Sequence, residues 1–121
     1  MEARGFMIMR FTESNWERFF THGKKTTFRI HCKRIGHYGV CGGSYYNPVK
    51  FGELDIVKVD AGKPFKELTE QDAKDDGFDS LEELKKEIQR LNKITDETTL
   101  YKHWIVNVKK AVDKEEDDHP N

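Results

Sequence analysis

Apolar and polar positions along this chain first alternate, then fall into a helical period, and then alternate again. Gly5 to Phe11 predicts a first strand. Thr12 is a ready N-cap, and Asn15 to His22 carries Trp16, Phe19 and Phe20 at helical spacing, with Gly23 as the stop. These three aromatics are expected in the core. Lys25 to Cys32 is rich in β-formers and predicts a strand. A Gly- and Tyr-rich stretch follows, with a short strand around Tyr38 to Cys41. Phe51 to Asp60 sets Leu54, Ile56 and Lys58 on one side and Asp55, Val57 and Val59 on the other, which predicts a strand inside a sheet or barrel.

The period then changes. Thr69 to Asp76 predicts a short helix closed by Gly77. Ser80 opens another, with Glu83 completing a capping box. Leu81, Leu84, Ile88 and Leu91 form one stripe. Leu100 to Val108 returns to strand, with Trp104, Val106 and Val108 expected on one face. The predicted order is β, α, β, β, β, α, α, β. That order suits an α+β fold, a small curled sheet or barrel with helices packed on its outside. Residues 1–112 are expected to form one domain, and 113–121 a disordered acidic tail.

Composition sharpens this. The chain has 121 residues, enough for one core without staples. Fourteen aromatics argue against global disorder, and no apolar run approaches a membrane span. Cys32 and Cys41 cannot build a disulfide framework, and no secretory core precedes them. A cytoplasmic protein with reduced thiols is expected. The net charge of −1 hides an asymmetry: Met1 to Lys58 holds ten basic and five acidic residues, Val59 to Asn121 eleven basic and seventeen acidic. A basic half beside an acidic half suits one polyanion-binding face, or a mixed solvated surface.

The most informative segment is Gly23-Lys24-Lys25-Thr26-Thr27-Phe28-Arg29. Two lysines end a helix, where its dipole favours cations, and a strand begins at once. Alternation puts Thr27, Arg29 and His31 on one face and Thr26, Phe28 and Ile30 on the other. With Phe28 and Ile30 toward the core, Thr27 and Arg29 line a groove in which a guanidinium can fork onto phosphate or a base edge. An ordinary amphipathic edge strand fits the same letters.

Lys24-x-x-Thr27-x-Arg29, following a helix closed by glycine, resembles the signature of ASCH domains in the PUA-like superfamily. Leu68-Thr69-Glu70-Gln71-Asp72-Ala73, Asp76-Gly77-Phe78 and Glu83-Leu84 are similar to that family's helical insertion. The closing strand from Tyr101 to Val108 fits as well. In the family a residue usually separates the glycine from the lysine; here Gly23 adjoins Lys24, and alignment from the glycine would choose Lys25. The resemblance implies a PUA-like small β-barrel with a cleft for RNA or a modified nucleoside. It also implies an alternative, a small amidohydrolase deacetylating acetylcytidine-type nucleosides, or a ribonuclease. In the amidohydrolase, Lys24, Thr27 and Asp76 would be catalytic, with Asp76 where such enzymes carry glutamate. A lysine of depressed pKa would activate the threonine hydroxyl, and the carboxylate would relay the proton.

Other constellations compete less well. Asp72 to Glu83 imitates a calcium loop, but Lys74 stands where a ligand oxygen is required. His31, Cys32, His37 and Cys41 lack the paired spacing of structural zinc sites. No metal or cofactor is expected. Tyr45 and Tyr46, among Lys33, Arg34 and Lys50, suit single-stranded RNA, because bases stack on rings while cations hold phosphates. Capping one end of the barrel is the other reading of these tyrosines. The expected RNA- or nucleoside-binding set is Lys25, Arg29, Lys33, Arg34, Tyr45 and Tyr46.

Overall fold

Residues 7–112 are described by the computed structural model; the predicted acidic tail, 113–121, lies outside them, as do Gly5 and Phe6 of the first strand. The elements are β1 (Ile8–Arg10), α1 (Glu13–Thr21), β2 (Thr26–Arg29), β3 (Gly36–Gly43), β4 (Pro48–Val59), β5 (Lys63–Pro64), a 3₁₀ turn (Phe65–Glu67), α2 (Glu70–Asp75), α3 (Leu81–Leu91) and β6 (Thr99–Lys110). The strands form a mixed sheet in the order β1-β3-β4-β6-β2, curled into an open half-barrel. Among the described residues only the β1–β3 pairing is parallel; β5 adds a short antiparallel pairing to β6. β1 and β2 are therefore the two ends of the curl. The Arg29 guanidinium on β2 donates through Nη2 to the Arg10 carbonyl on β1 at 2.8 Å, so the two ends meet at one seam.

Local chemistry explains the elements. Thr12 caps α1 by accepting the Asn15 N–H at 3.2 Å. Gly23, at φ +66°, then adopts the left-handed conformation that ends the helix and turns the chain into β2. β4 and β6 are long central strands, and each contains a bulge. Val57 is the extra residue on β4, so Leu54 and Ile56 face inward before it and Val59 after it. On β6, register with β4 passes from Glu53–Lys109 to Asp55–Val106, with Asn107 left-handed at φ +55°. That bulge separates the predicted trio: Val108 packs on the same core as Ile105, while Val106 is exposed.

Two apolar clusters lie on opposite faces of the β2–β6 pair. Cross-strand partners share a face, and β2 pairs Thr26 with Trp104, Thr27 with His103 and Phe28 with Lys102. The inner cluster holds Trp16, Tyr38, Leu54, Ile56 and Ile105 inside the curl. The outer one joins Phe28 and Leu100 to Phe65, Leu68, Phe78, Leu84 and Ile88 beneath α2 and α3. Burying these large side chains supplies the main stabilisation, about 1.5–3 kcal/mol for each one fully covered.

α2 is pinned to the sheet by charge. Buried Lys102 of β6 bridges Asp72 and Asp75 at 2.8 Å each, and Lys63 reaches Asp72 at 2.6 Å. These contacts hold the Asp72 carboxyl down to about 2 against the opposing effect of burial. The same carboxylate closes a reciprocal capping box with Thr69. The box expected at Ser80 is only half formed. Ser80 accepts from Glu83 N–H, but the Glu83 side chain turns to the Asp79 N–H instead. Two further expectations are corrected. Phe20 is 42% exposed, lying edge-on to Trp16 with Lys110 above it, and Ile30 is exposed because β2 stops at Arg29.

Candidate functional site

The seam between β1 and β2 opens into a cleft of about 920 Å³. One wall is β1 with the start of α1, the other β2 with its continuation and α3.

Its floor is set by two glycine turns. Gly23 delivers Lys24 to the strand entrance, and Gly77, at φ +83°, follows the C-cap residue Asp76 of α2. A Cβ on Gly77 would lie 2.9 Å from Lys24 Cβ, so glycine is what lets these segments approach. Lys24 Nζ consequently sits 3.1 Å from Asp76 Oδ2, with both side chains almost fully buried. The hydroxyl on the other carboxylate oxygen belongs to Thr26, which donates to Asp76 Oδ1 at 2.9 Å. Burial lowers the Lys24 pKa, against the attraction of Asp76. Burial likewise raises the Asp76 carboxyl, opposed by Lys24 and by the Thr26 hydrogen bond.

Thr27 points to the opposite face of β2. Its hydroxyl accepts a long 3.4 Å contact from Arg29 Nε and bonds to neither Lys24 nor Asp76. It lines the same cleft, because β2 is a terminal strand whose two faces both reach the opening. Arg29 lies over the Phe11 ring at 4.6 Å, and burial lowers its pKa to about 10. Among the described residues no carboxylate lies within ion-pair distance of this guanidinium; Asp76 acts on it only through space.

The rim adds cations and an aromatic ring. Arg10 donates to the Gly43 carbonyl at 2.6 Å and lies 4.6 Å over the Tyr45 ring, which is 82% exposed at the mouth. Lys33 also lines the cleft, its pKa lowered by burial and by Arg29. The Lys33 N–H donates to Nε2 of the fully buried His103 at 2.9 Å, while Nδ1 of that ring lies 2.9 Å from the Tyr101 carbonyl. That pairing assigns the proton of a neutral imidazole to Nδ1, and burial depresses the His103 pKa.

Six of the residues singled out in the sequence thus surround one cleft: Lys24, Thr27, Arg29, Lys33, Tyr45 and Asp76. Three lie outside it. Lys25 is exposed and 3.8 Å from Asp75, Arg34 uses its carbonyl to accept from Tyr38, and Tyr46 is almost wholly in solvent. Sequence reasoning missed Thr26, Arg10, and the pair Asn15 and Glu87 on the α1 and α3 wall. Thr26 carried a signal, being a hydroxyl two residues from Lys24 on a strand. The others are joined only by tertiary structure. Neither metal motif assembles: among the described residues no group of three His, Cys, Asp or Glu side chains converges, and in the calcium-like segment Asp72, Asp75 and Asp76 are bound to lysines while Glu83 caps its helix. No helix among the described residues is long and apolar enough to cross a membrane.

No family model matches the chain, and no curated protein matches it. Among solved structures it is similar to the crystal structure of protein EF3133 from Enterococcus faecalis V583, described under the family DUF984. The TM-score is 0.67 at 12% identity, over 100% of this chain and 87% of that one. That likeness is one of fold.

Proposed function

We propose that this chain is an ASCH-type, PUA-like domain, spanning 1–112 and followed by an acidic tail, that binds RNA or a modified nucleoside in the seam cleft. The observation that carries the reading is the Arg29 guanidinium. It is held rigid by the Arg10 carbonyl and the Phe11 ring, largely removed from water, and in contact with no carboxylate among the described residues. A cation so placed is costly unless an anionic or carbonyl-bearing ligand completes it. Lys33 extends the positive field, and Tyr45 backed by Arg10 offers a stacking surface for a base. On this reading we propose a cytoplasmic location, alongside the RNA it would bind. Titration with a single-stranded RNA at low salt tests this. The wild-type chain is expected to bind, and Arg29→Met to bind at least tenfold more weakly, about the value of one charge-assisted fork. Equal binding by both would refute it.

A second reading, an amidohydrolase acting on acetylcytidine-type nucleosides, is favoured by the Lys24–Asp76 contact and the lowered lysine pKa. The amine would take the proton from a hydroxyl, and the carboxylate would hold the ammonium as it forms. Thr27 must swing toward Lys24 for this, since it lies outside hydrogen-bond reach of the pair. Release of acetate from acetylcytidine, lost in folded Lys24→Met and Thr27→Val variants, would establish the enzyme. Binding without turnover would leave the module.

A further inference from the structure

The chain from Ile30 to Ile35 joins β2 to β3 and supplies Ile30, His31 and Lys33 to the cleft wall. Little holds it there. Ile30 and Ile35, its two large apolar side chains, are both exposed. Among the described residues no main-chain hydrogen bond ties this loop to another element. Two side chains of the sheet tie it instead. Tyr38 on β3 donates its hydroxyl to the Arg34 carbonyl at 2.7 Å, and Nε2 of His103 on β6 accepts the Lys33 N–H at 2.9 Å. Segments with so few buried contacts open locally at small cost, so these two bonds set the position of the loop.

The two bonds differ in kind. Burial pushes the Tyr38 hydroxyl above its usual value, so that bond is unchanged near neutrality. The His103 bond exists only while the ring is neutral, because an imidazolium carries N–H at both nitrogens and accepts nothing. Nδ1 already faces the carbonyls of Tyr101 at 2.9 Å and Thr27 at 3.3 Å, so a second proton can enter only at Nε2. There it would meet the Lys33 N–H head-on, in a fully buried position that water does not reach while the loop is in place. The neighbouring charges act in the same direction. Arg29 on β2 and Lys33 on the loop are the charged groups that bear on the ring most, and both oppose a further cation. β4 sets the uncharged Val59 opposite His103, and the other titratable groups of this corner are His31, Cys32 and Arg34 on the loop, Tyr101 on β6 and Tyr38 on β3.

We infer that His103 is a latch on this loop: the neutral ring holds Lys33 at the cleft, and protonation of Nε2 releases residues 30–35 and withdraws Lys33 from the site. The latch needs no ligand; only its consequence for binding rests on the RNA-binding reading of the cleft. That consequence has a diagnostic sign. Acid ordinarily strengthens RNA binding, because histidines gain charge while phosphodiesters keep theirs. Here acid weakens it, because the proton that adds a buried charge removes the cation that faces the ligand.

Nuclear magnetic resonance of the full chain, titrated from pH 7.5 to 5, tests the latch without a ligand. The Lys33 and Arg34 amides are expected to move with the same midpoint as the His103 ring, which lies below 6.5. In His103→Gln, whose side-chain oxygen can accept the same N–H without titrating, that transition should vanish; His31 contributes equally to both proteins, so the difference reports His103. A His103 ring that stays neutral down to pH 5, or loop amides that ignore its titration, would overturn the inference. Binding of a single-stranded oligouridylate, measured above and below that midpoint, tests the consequence. The wild-type chain should lose about fivefold in affinity on acidification, the upper end for one solvent-exposed ion contact, and His103→Gln should lose none. Tighter binding by the wild-type chain in acid would overturn the inference as well. If His103→Gln does not fold, the joint titration of the His103 ring and the Lys33 amide in the wild-type chain decides. Joint titration without RNA binding at any pH would remove the binding reading and leave the latch standing; RNA binding without joint titration would do the reverse.

Discussion

Replacing Lys24 by methionine keeps the apolar stem and deletes the charge that faces Asp76. In the wild-type protein Nζ lies 3.1 Å from Oδ2 and 3.4 Å from the Asp76 carbonyl, with both side chains almost fully shielded. The variant leaves a buried carboxylate whose one remaining side-chain donor is the Thr26 hydroxyl. Removing one member of such a pair costs about 3–5 kcal/mol. In a domain of this size that corresponds to a fall in Tm of about 12–20 °C. The loss should depend on pH, and its sign follows from the direction of the shift. Burial already raises the Asp76 pKa, and the Lys24 ammonium opposes that rise most strongly. Without the lysine the folded carboxyl titrates higher still. A folded pKa above the unfolded one means stability lost as pH rises, so the deficit of Lys24→Met should shrink as pH is lowered from 7 toward 5. The double variant Lys24→Met/Asp76→Leu should recover most of the loss, because an apolar pair of similar volume removes the orphaned charge. Urea unfolding at several pH values measures all three. A deficit below about 1 kcal/mol at pH 7, or one that does not vary with pH, would refute this reasoning.

Gly77→Ala should destabilise by about 1–3 kcal/mol, through its left-handed backbone and the 2.9 Å approach to Lys24 Cβ. Gly23→Ala, where a Cβ meets nothing within 4 Å, should cost only the conformational part; chemical denaturation of the two side by side checks the order. Acid stability should fall in two limbs. His103 has a folded pKa below its unfolded value of 6.5, so stability declines as pH drops through 6.5, and His103→Gln should flatten that limb. Asp72, held near 2 against 3.8 unfolded, contributes stability above pH 3.8 that disappears between about 4 and 2, and thermal melts across this range should show both limbs in the wild-type chain.

Much of the fold was legible because caps and stops are local. Thr12, Gly23, Thr69, Gly77 and Ser80 each act within a few residues, and each ends or begins an element where the sequence places it. Faces were harder to read. Strict alternation predicts Val106 and Val108 together, but a bulge inserts one residue and reverses the parity, and nothing local in the sequence required Asn107 to be left-handed. β5 and the 3₁₀ turn are too short to carry a period. The polar floor shows the same division. The lysine and the aspartate could be paired through the resemblance of their flanking motifs. Which threonine meets the carboxylate, however, depends on the face that α2 covers, and the structure puts Thr26 there. Arg10, Asn15 and Glu87 join the cleft from three separate elements, so no spacing rule relates them.

The claim that the seam is the ligand site is tested most directly by mapping backbone amide shifts while a single-stranded RNA is added at low salt. Shifts are expected at Phe11, Asn15, Thr27 to Ile30, Tyr45, Leu84, Glu87 and Ile88, residues that line the cleft. They should weaken as salt rises, because releasing counterions into a saltier solution gains less entropy. Shifts confined to the exposed outer group of His37, Glu53 and Asp55, or no shifts at any salt, would contradict it.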